Sequence, residues 1–469
     1  MELQLVSKLK RTLFASLLGF ALIFANVLTV QAEEVQTQAS TPVLTISPWS
    51  VPTLHEGEKY GIFPVEWYYD GSFQLPITID KLTQLLNATS NKLEQLKLSD
   101  SGELSISFPF SSHISRDAVI QSLYAVLTQY QLPASFELGS YTPIEYLQKK
   151  GIVAGTDQGL ELDKPSTVEQ AVVMASRLVE FAYDTVDAGG EGLFWKATKG
   201  DNTLYLLGSI HIGIPEMYPI NKAVRDAYLA SDTLWVEANT QTGDPQAMME
   251  FVQAMSYTDG TTIKDHISQE TYEKLQRASE KFGLPAQAFD TSKPWVVSNN
   301  MSLLSIINSP QEMGQAALLG VDGYFIGKSL LTQKPIHELE GVQFQSDLFS
   351  NVPSEQQEKE LNALLDTILS ESGTNEAAVA FRQMQLDWAN GDLESFSQSF
   401  ESTDEMSDVD SMNRLFGERD KNMADKLAEL LDSEGKSTHF VVVGAGHFVI
   451  DNMVIDLLKE KGYTVEIVQ

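Results

Sequence analysis

The sequence predicts an α/β domain, a mixed or parallel sheet with helices, preceded by a smaller, mainly helical repeat domain. Three observations carry that expectation. Two apolar runs, "TLYLLGSIH" (203 to 211) and "FVVVGAGH" (440 to 447), read as buried strands that end in glycine and then histidine. From Asn422 to the carboxyl end the pattern alternates helix, strand, helix and strand, a βαβ unit that argues for a parallel or mixed sheet. Before residue 190, three related stretches each place a threonine or serine ahead of an amphipathic helix.

At 469 residues the chain has room for two or three domains. It opens with Lys8, Lys10 and Arg11, followed by an apolar stretch from Leu13 to Val30. Val30-Gln31-Ala32 places small residues where a signal peptidase cuts, so a cleaved leader over 1–32 is expected; an uncleaved anchor is the alternative. Nothing later is apolar for long enough to cross a bilayer, so the mature chain is expected to be secreted or wall-associated, without an integral membrane span. Cysteine is absent, which excludes disulfides, a thiol nucleophile and thiolate ligands. Any metal must therefore be held by His, Asp or Glu. The 32 basic residues against 64 acidic ones leave a net charge of −32, which disfavours nucleic acid and anionic membranes as partners.

Along the first half, "GSFQLPITIDKLTQLL" (71 to 86), "SSHISRDAVIQSLYAVL" (111 to 127) and "GLELDKPSTVEQAVVMASRL" (159 to 178) form a weak internal repeat. Thr78, Ser115 and Thr167 are the expected helix caps, each followed in the first turn by Asp80, Asp117 or Glu169. Helical units that cannot bury a face alone stack on one another. With "YLQKKGIVAG" (146 to 155) ahead of the third copy and "YGIFP" (60 to 64) as a fainter echo, residues 45 to 185 resemble degenerate S-layer homology repeats. That resemblance implies a spindle binding cell-wall polysaccharide. The motif's arginine survives here only as Arg116, so a scaffold that no longer binds is the alternative. "DTVDAGGEG" (184 to 192) is the expected linker.

The second domain is expected over 193–469. "LFWKAT" and "TLYLLGS" read as strands paired around Gly200-Asp201-Asn202. Val224, Ala227 and Tyr228 mark a helix, "TLWVEAN" is a buried strand carrying Glu237, and 245 to 310 look helical, with Pro285, Pro294 and Pro310 as breakers. Then come a helix from Asn422 to Leu431, a strand over 439 to 443, a helix from Met453 to Lys461 and the closing strand "YTVEIV".

In such a sheet, sites form at the carboxyl ends of strands. His211 and His447 both fall there, each behind a glycine that lets the backbone turn sharply. Glu237 ends the strand that follows the first histidine motif, in an apolar run where a carboxylate is costly unless paired. Two imidazoles and a carboxylate form either a divalent-metal site or a histidine base with an orienting acid. His55, His113, His266, His337 and His439 lack this setting and read as structural or surface residues. There is no Gly-x-Ser-x-Gly elbow and no His-Glu-x-x-His pair.

"LFWKATKGDNTLYLLGSIHIGIPEMYPINKAVRDAYLASDTLWVEAN" and "FVVVGAGHFVIDNMVIDLLKEKGYTVEIV" resemble the opening and closing segments of the TraB/GumN family, related to the Tiki proteases. "GVDGYFIGKSLLTQKPIHELEGVQFQ" (320 to 345) resembles its Gly-Ile-Asp segment, here with Asp322, Glu340 and Gln345. "ERDKNMADKL" (418 to 427) resembles its Arg-Asn segment, with Arg419 matching and Asp420 where asparagine is usual. The resemblance implies a hydrolase-like α/β fold around a divalent-metal or histidine-centred site. Tiki relatives are metal-dependent proteases that trim an extracellular signal, TraB is associated with shutting down a peptide pheromone, and the more distant erythromycin esterases use a His/Glu/His site.

The expectation is a secreted or wall-associated metal-dependent peptidase acting on an extracellular peptide or protein. His211, Glu237 and His447 would hold a divalent ion of unknown identity that activates water. Arg419 would neutralise an oxyanion or grip a substrate carboxylate, with a surface salt bridge as its alternative. Glu340 would be a further ligand, the base, or a residue supporting the ligands, and Asp322 would cap a helix. The alternatives are a metal-free His/Glu esterase and a non-catalytic protein that binds a peptide or a cell-wall polymer.

Overall fold

The computed structural model describes residues 46–99, 114–155, 157–241, 243–307, 310–370, 373–401 and 414–468. The leader expected at 1–32 and His113 lie outside the described residues. The chain divides into two compact units. One holds the described residues up to 190 together with 215–225; the other holds 191–214 and everything from 226 onward.

The first unit is helical: α1 (Val51–Lys59), α2 (Ile79–Glu94), α3 (Arg116–Thr128), α4 (Pro143–Lys149) and α5 (Val168–Thr185). Thr78, Ser115 and Thr167 accept hydrogen bonds from the first-turn amides of Lys81, Ala118 and Gln170, and so cap α2, α3 and α5. The three capping segments are themselves joined. Ile77 N donates to Ser166 O, Ser166 N to Ile114 O, and Arg116 N to Lys164 O, at 2.8 to 3.0 Å. The amphipathic faces then meet in one core: Leu82, Leu85, Val119, Leu123, Val172 and Leu178 are all fully buried. Each such side chain contributes about 1.5–3 kcal/mol on leaving water. Glu169, in the first turn of α5, is also buried, and the Ser47 amide and hydroxyl satisfy its carboxylate at 3.0 and 2.8 Å.

The second unit carries a six-stranded mixed sheet with strands β1 (Leu193–Lys199), β2 (Asn202–Ser209), β3 (Thr233–Val236), β4 (Ile336–Glu338), β5 (Thr438–Gly444) and β6 (Thr464–Ile467). Their order is β4-β3-β5-β2-β1-β6. β1 and β2 form the expected hairpin, with Lys199 opposite Asn202. β5 lies between β2 and β3 and is parallel to both, while β6 pairs antiparallel with β1 at the edge. The closing βαβ unit is thus a crossover that skips two strands.

α6 (Lys222–Ala230) is shared by the two units, its residues from 226 onward falling in the second, and α7 (Pro245–Met255), α8 (Gln269–Lys281), α9 (Pro294–Ile307) and α10 (Pro310–Leu318) follow. Pro294 and Pro310 open helices rather than only breaking them, because a first-turn proline loses no helical hydrogen bond. α11 (Val321–Thr332), α12 (Val342–Ser350), α13 (Ser354–Leu369), α14 (Gly373–Ala389) and α15 (Leu393–Glu401) come next, then α16 (Glu418–Leu431), α17 (Gly446–Val449) and α18 (Val454–Glu460). Among the described residues, no helix is long and apolar enough to cross a membrane.

Candidate active site

The strand that leads to His211 is pinned at its carboxyl end. Trp388 Nε1 donates to Gly208 O at 2.6 Å and Gln385 Nε2 to Ile212 O at 2.8 Å, both bonds buried. Val321 N donates to Ile210 O at 3.0 Å, and Gly213 N to Ala316 O at 2.8 Å. The approach needs glycine twice. A Cβ on Gly213 would lie 1.8 Å from Leu319 O, and one on Gly320 would lie 2.3 Å from His211 O. This contact delivers the first turn of α11 to the imidazole. Asp322 Oδ2 lies 2.7 Å from His211 Nδ1, and Ser209 Oγ donates to Asp322 Oδ1 at 2.8 Å. Burial pushes the Asp322 carboxyl up, but the His211 charge and the bonds from His211 and Ser209 outweigh it and hold the group below the usual range. Asp322 does not cap α11, since Gly320 is the N-cap residue; its carboxylate orients His211 instead.

Glu237, just past β3, is buried and fully engaged. Its Oε1 accepts from Gly444 N at 2.6 Å; its Oε2 accepts from Gln345 Nε2 at 2.8 Å and from Arg419 Nη2 at 3.4 Å. Arg419 in turn grips Glu340 with two bonds of 2.7 Å, from Nε and Nη2, and its Nη1 donates to Leu415 O at 2.8 Å. None of these three charged side chains is more than 6 % exposed. Burial alone would lower the Arg419 pKa, yet Glu340 and Glu237 hold it above its ordinary value. The guanidinium is neither a surface cation nor aimed at an incoming oxyanion: it neutralises two buried carboxylates. Glu237 does not orient either imidazole.

His447 sits on α17, directly after β5, and is completely buried. Its Nδ1 lies 2.8 Å from Asp420 Oδ1, and Asp420 Oδ2 accepts from Gly417 N at 2.8 Å. Its Nε2 is buried without a hydrogen-bond partner. In the sequence Asp420 is marked only as a departure from asparagine. Its pairing with His447 had no local signal, because the two residues belong to separate elements.

A cavity of about 160 Å³ is lined by His211, Glu237, Asp322 and Gln345, with Thr240 and Gln241 among the other walls. His447, Arg419 and Glu340 do not line it. Of the remaining histidines, His439 Nδ1 meets Thr233 Oγ1 at 2.7 Å, His337 stacks on Trp235 at 4.8 Å and His266 on Tyr257 at 4.1 Å.

The donors fit a divalent ion only in part. Both histidines set Nδ1 on a carboxylate, as metal-bound imidazoles do, which leaves Nε2 as the nitrogen that would ligate. Glu237 does not fit, since both of its oxygens are held by protein donors, one of them a cation. Among the described residues, no three His, Asp or Glu side chains form a group able to hold a metal.

A family sequence profile, TraB/PrgY/gumN, matches residues 193–467. The chain belongs to the TraB/PrgY/gumN family. The match spans the sheet and both glycine–histidine loops, and it begins after the repeats, so it says nothing about an S-layer likeness at 45 to 185. An uncharacterized protein of Escherichia coli (strain K12), YbaP, is 27% identical over 261 residues, covering 55% of this chain and 89% of that protein. Two shorter matches are to proteins named metalloprotease TIKI homolog. The one from Nematostella vectensis is 39% identical over 57 residues, 12% of each chain; the one from Amphimedon queenslandica is 32% identical over 69 residues, 14% of each. No solved structure matches.

Proposed function

We propose that this TraB/PrgY/gumN domain is a hydrolase of peptide or ester bonds in which His211, oriented by Asp322, takes a proton from water. The observation that carries the reading is the 2.7 Å pair between His211 Nδ1 and Asp322 Oδ2 on the wall of a cavity. With Nδ1 committed to the carboxylate, Nε2 is the basic nitrogen. The water oxygen bonds to the substrate carbonyl carbon as its proton passes to Nε2. The imidazolium then returns that proton to the leaving nitrogen or oxygen as the C–N or C–O bond breaks. Asp322, held anionic, stabilises the imidazolium meanwhile. Glu237 and Gln345 form part of the cavity wall, and Arg419, itself paired with Glu340, holds Glu237 in place. The cavity's size suits one inserted side chain rather than a whole ligand, which supports an extended peptide as substrate.

Export, an extracellular peptide or protein substrate, and a grip of the first unit on cell-wall polysaccharide belong to the same proposal. Their support is the residue pattern at 1–32 and the repeats at 45 to 185.

A second reading is metal-dependent proteolysis, favoured by the buried, unpartnered Nε2 of His447 and by the printed names of the TIKI relatives. A divalent ion there would supply a water of lowered pKa. The test is cleavage of peptide and ester libraries by the purified full chain, with and without chelator. Under the first reading His211→Gln lowers turnover about 10²–10⁴-fold and chelator changes nothing. Loss of activity in chelator selects the metal reading. Absence of cleavage, with equal peptide binding by wild type and His211→Gln, selects a non-catalytic binding protein.

A further inference from the structure

The cavity beside His211 has two unlike walls, both built by the second unit. One follows β3 and carries Thr240 and Gln241; the other is small and apolar, from Ala317 through Gly320 and Gly323 to Ile326. The two glycines serve different ends. Gly320 permits the approach to His211 O, from which a Cβ on it would lie 2.3 Å. Gly323 has no such contact. It lies in the first turn of α11 with φ outside the left-handed region, and a Cβ added to it would meet no atom within 4 Å. Neither backbone conformation nor packing excludes alanine there, and glycine is the less favourable of the two in a helix. What the missing side chain leaves is empty space in the cavity wall. Gln241 Nε2 donates to Gly323 O at 3.4 Å, so the two walls meet beside that space.

Size and charge both constrain the occupant. A volume of about 160 Å³ is close to the ~150 Å³ that accommodates a benzene ring in an apolar core, so a leucine side chain fits. Among the described residues, no lysine or arginine lines the cavity, and an entering carboxylate would face Glu237 and Asp322 without a counter-charge. An entering lysine or arginine would find no free partner either. Glu237 is held by Gly444, Gln345 and Arg419, and Asp322 by His211 and Ser209.

We propose that this cavity is the pocket for an uncharged, leucine-sized side chain of the substrate, next to the bond that is cleaved, and that Gly323 sets its depth. The placement next to that bond rests on His211 being the base, but the pocket is testable without turnover. In the full chain, N-acetyl-leucinamide should bind saturably and shift the imidazole signals of His211, assigned with His211→Gln. The corresponding blocked amides of glutamate and lysine should bind at least ~10-fold more weakly. Gly323→Leu, which puts its own side chain into the space, should weaken N-acetyl-leucinamide at least ~10-fold, the discrimination that a methylene of misfit imposes. Gly323→Ala should shift preference toward N-acetyl-alaninamide, with an unfolding midpoint at or above that of the wild type. Where peptides are cleaved, the ratio of kcat/KM for leucine over alanine beside the bond should fall ~10-fold in Gly323→Ala. Binding that is absent, that is as tight for either charged amide, or that neither Gly323 substitution alters overturns the proposal. Should Gly323→Leu fail to fold, Gly323→Ala decides. Binding of N-acetyl-leucinamide that Gly323→Leu abolishes, in a chain that cleaves no peptide or ester, would instead refute the hydrolase and leave the pocket standing.

Discussion

His211 Nδ1 meets Asp322 Oδ2 at 2.7 Å although the two residues come from different elements, a loop after β2 and the first turn of α11. The contact exists because Gly213 and Gly320 let two stretches of backbone approach more closely than any side chain would permit. The carboxylate gains twice, from the imidazole and from the α11 amino terminus, where negative charge is favoured.

Replacing Asp322 by Asn should therefore separate orientation from packing. The amide keeps the shape and a contact to Ser209 but no longer holds the Nδ1–H tautomer. Turnover of a cleavable peptide or ester should fall about 10²–10⁴-fold, while stability drops by about 1–3 kcal/mol. Initial rates and denaturant midpoints on one preparation check both numbers.

The same carboxylate predicts acid sensitivity with a definite sign. Its folded pKa lies below the reference of 3.8, so it stabilises the protein fully above that value. The contribution is lost as pH falls below 3.8 through the folded pKa. Urea midpoints measured from pH 6 to pH 3 should decline less steeply in Asp322→Asn than in the wild type.

Arg419→Met should cost about 3–5 kcal/mol, because it strands Glu237 and Glu340 in a buried place without a counter-charge. Adding Glu237→Gln and Glu340→Gln should restore much of that loss. Arg419→Lys should not rescue, since an ammonium cannot make the two parallel bonds to Glu340. Equilibrium unfolding of these three variants beside the wild type tests the cluster, and full stability of Arg419→Met would refute it.

His447 separates the two chemical readings. If its Nε2 binds an ion, His447→Gln should lower the metal content of purified protein and match the effect of chelator on rate. If it does not, bound metal is the same in wild type and variant, and the substitution acts only on stability. Elemental analysis after dialysis gives the answer.

Much of the second unit was legible as sequence. Apolar runs bounded by turn residues marked β1, β2, β3 and β5, and strand ends in an α/β sheet are where loops gather, so both glycine–histidine motifs stood out. The caps Thr78, Ser115 and Thr167 were readable because capping is local, decided within one helical turn. Partners distant along the chain were not readable. Asp322 looked like a cap because its first-turn position allows one; only the docking of α11 against the His211 loop makes it the histidine's partner. Glu237 looked like a ligand or orienting acid, and the buried Arg419–Glu340 pair takes it instead. Asp420 stood out only as a departure, until the return of β5 placed His447 beside it. Local patterning is written in spacing, and it determined elements and their ends. Which charge meets which is a matter of burial, and burial exists only once the sheet order and the helix docking have closed the core.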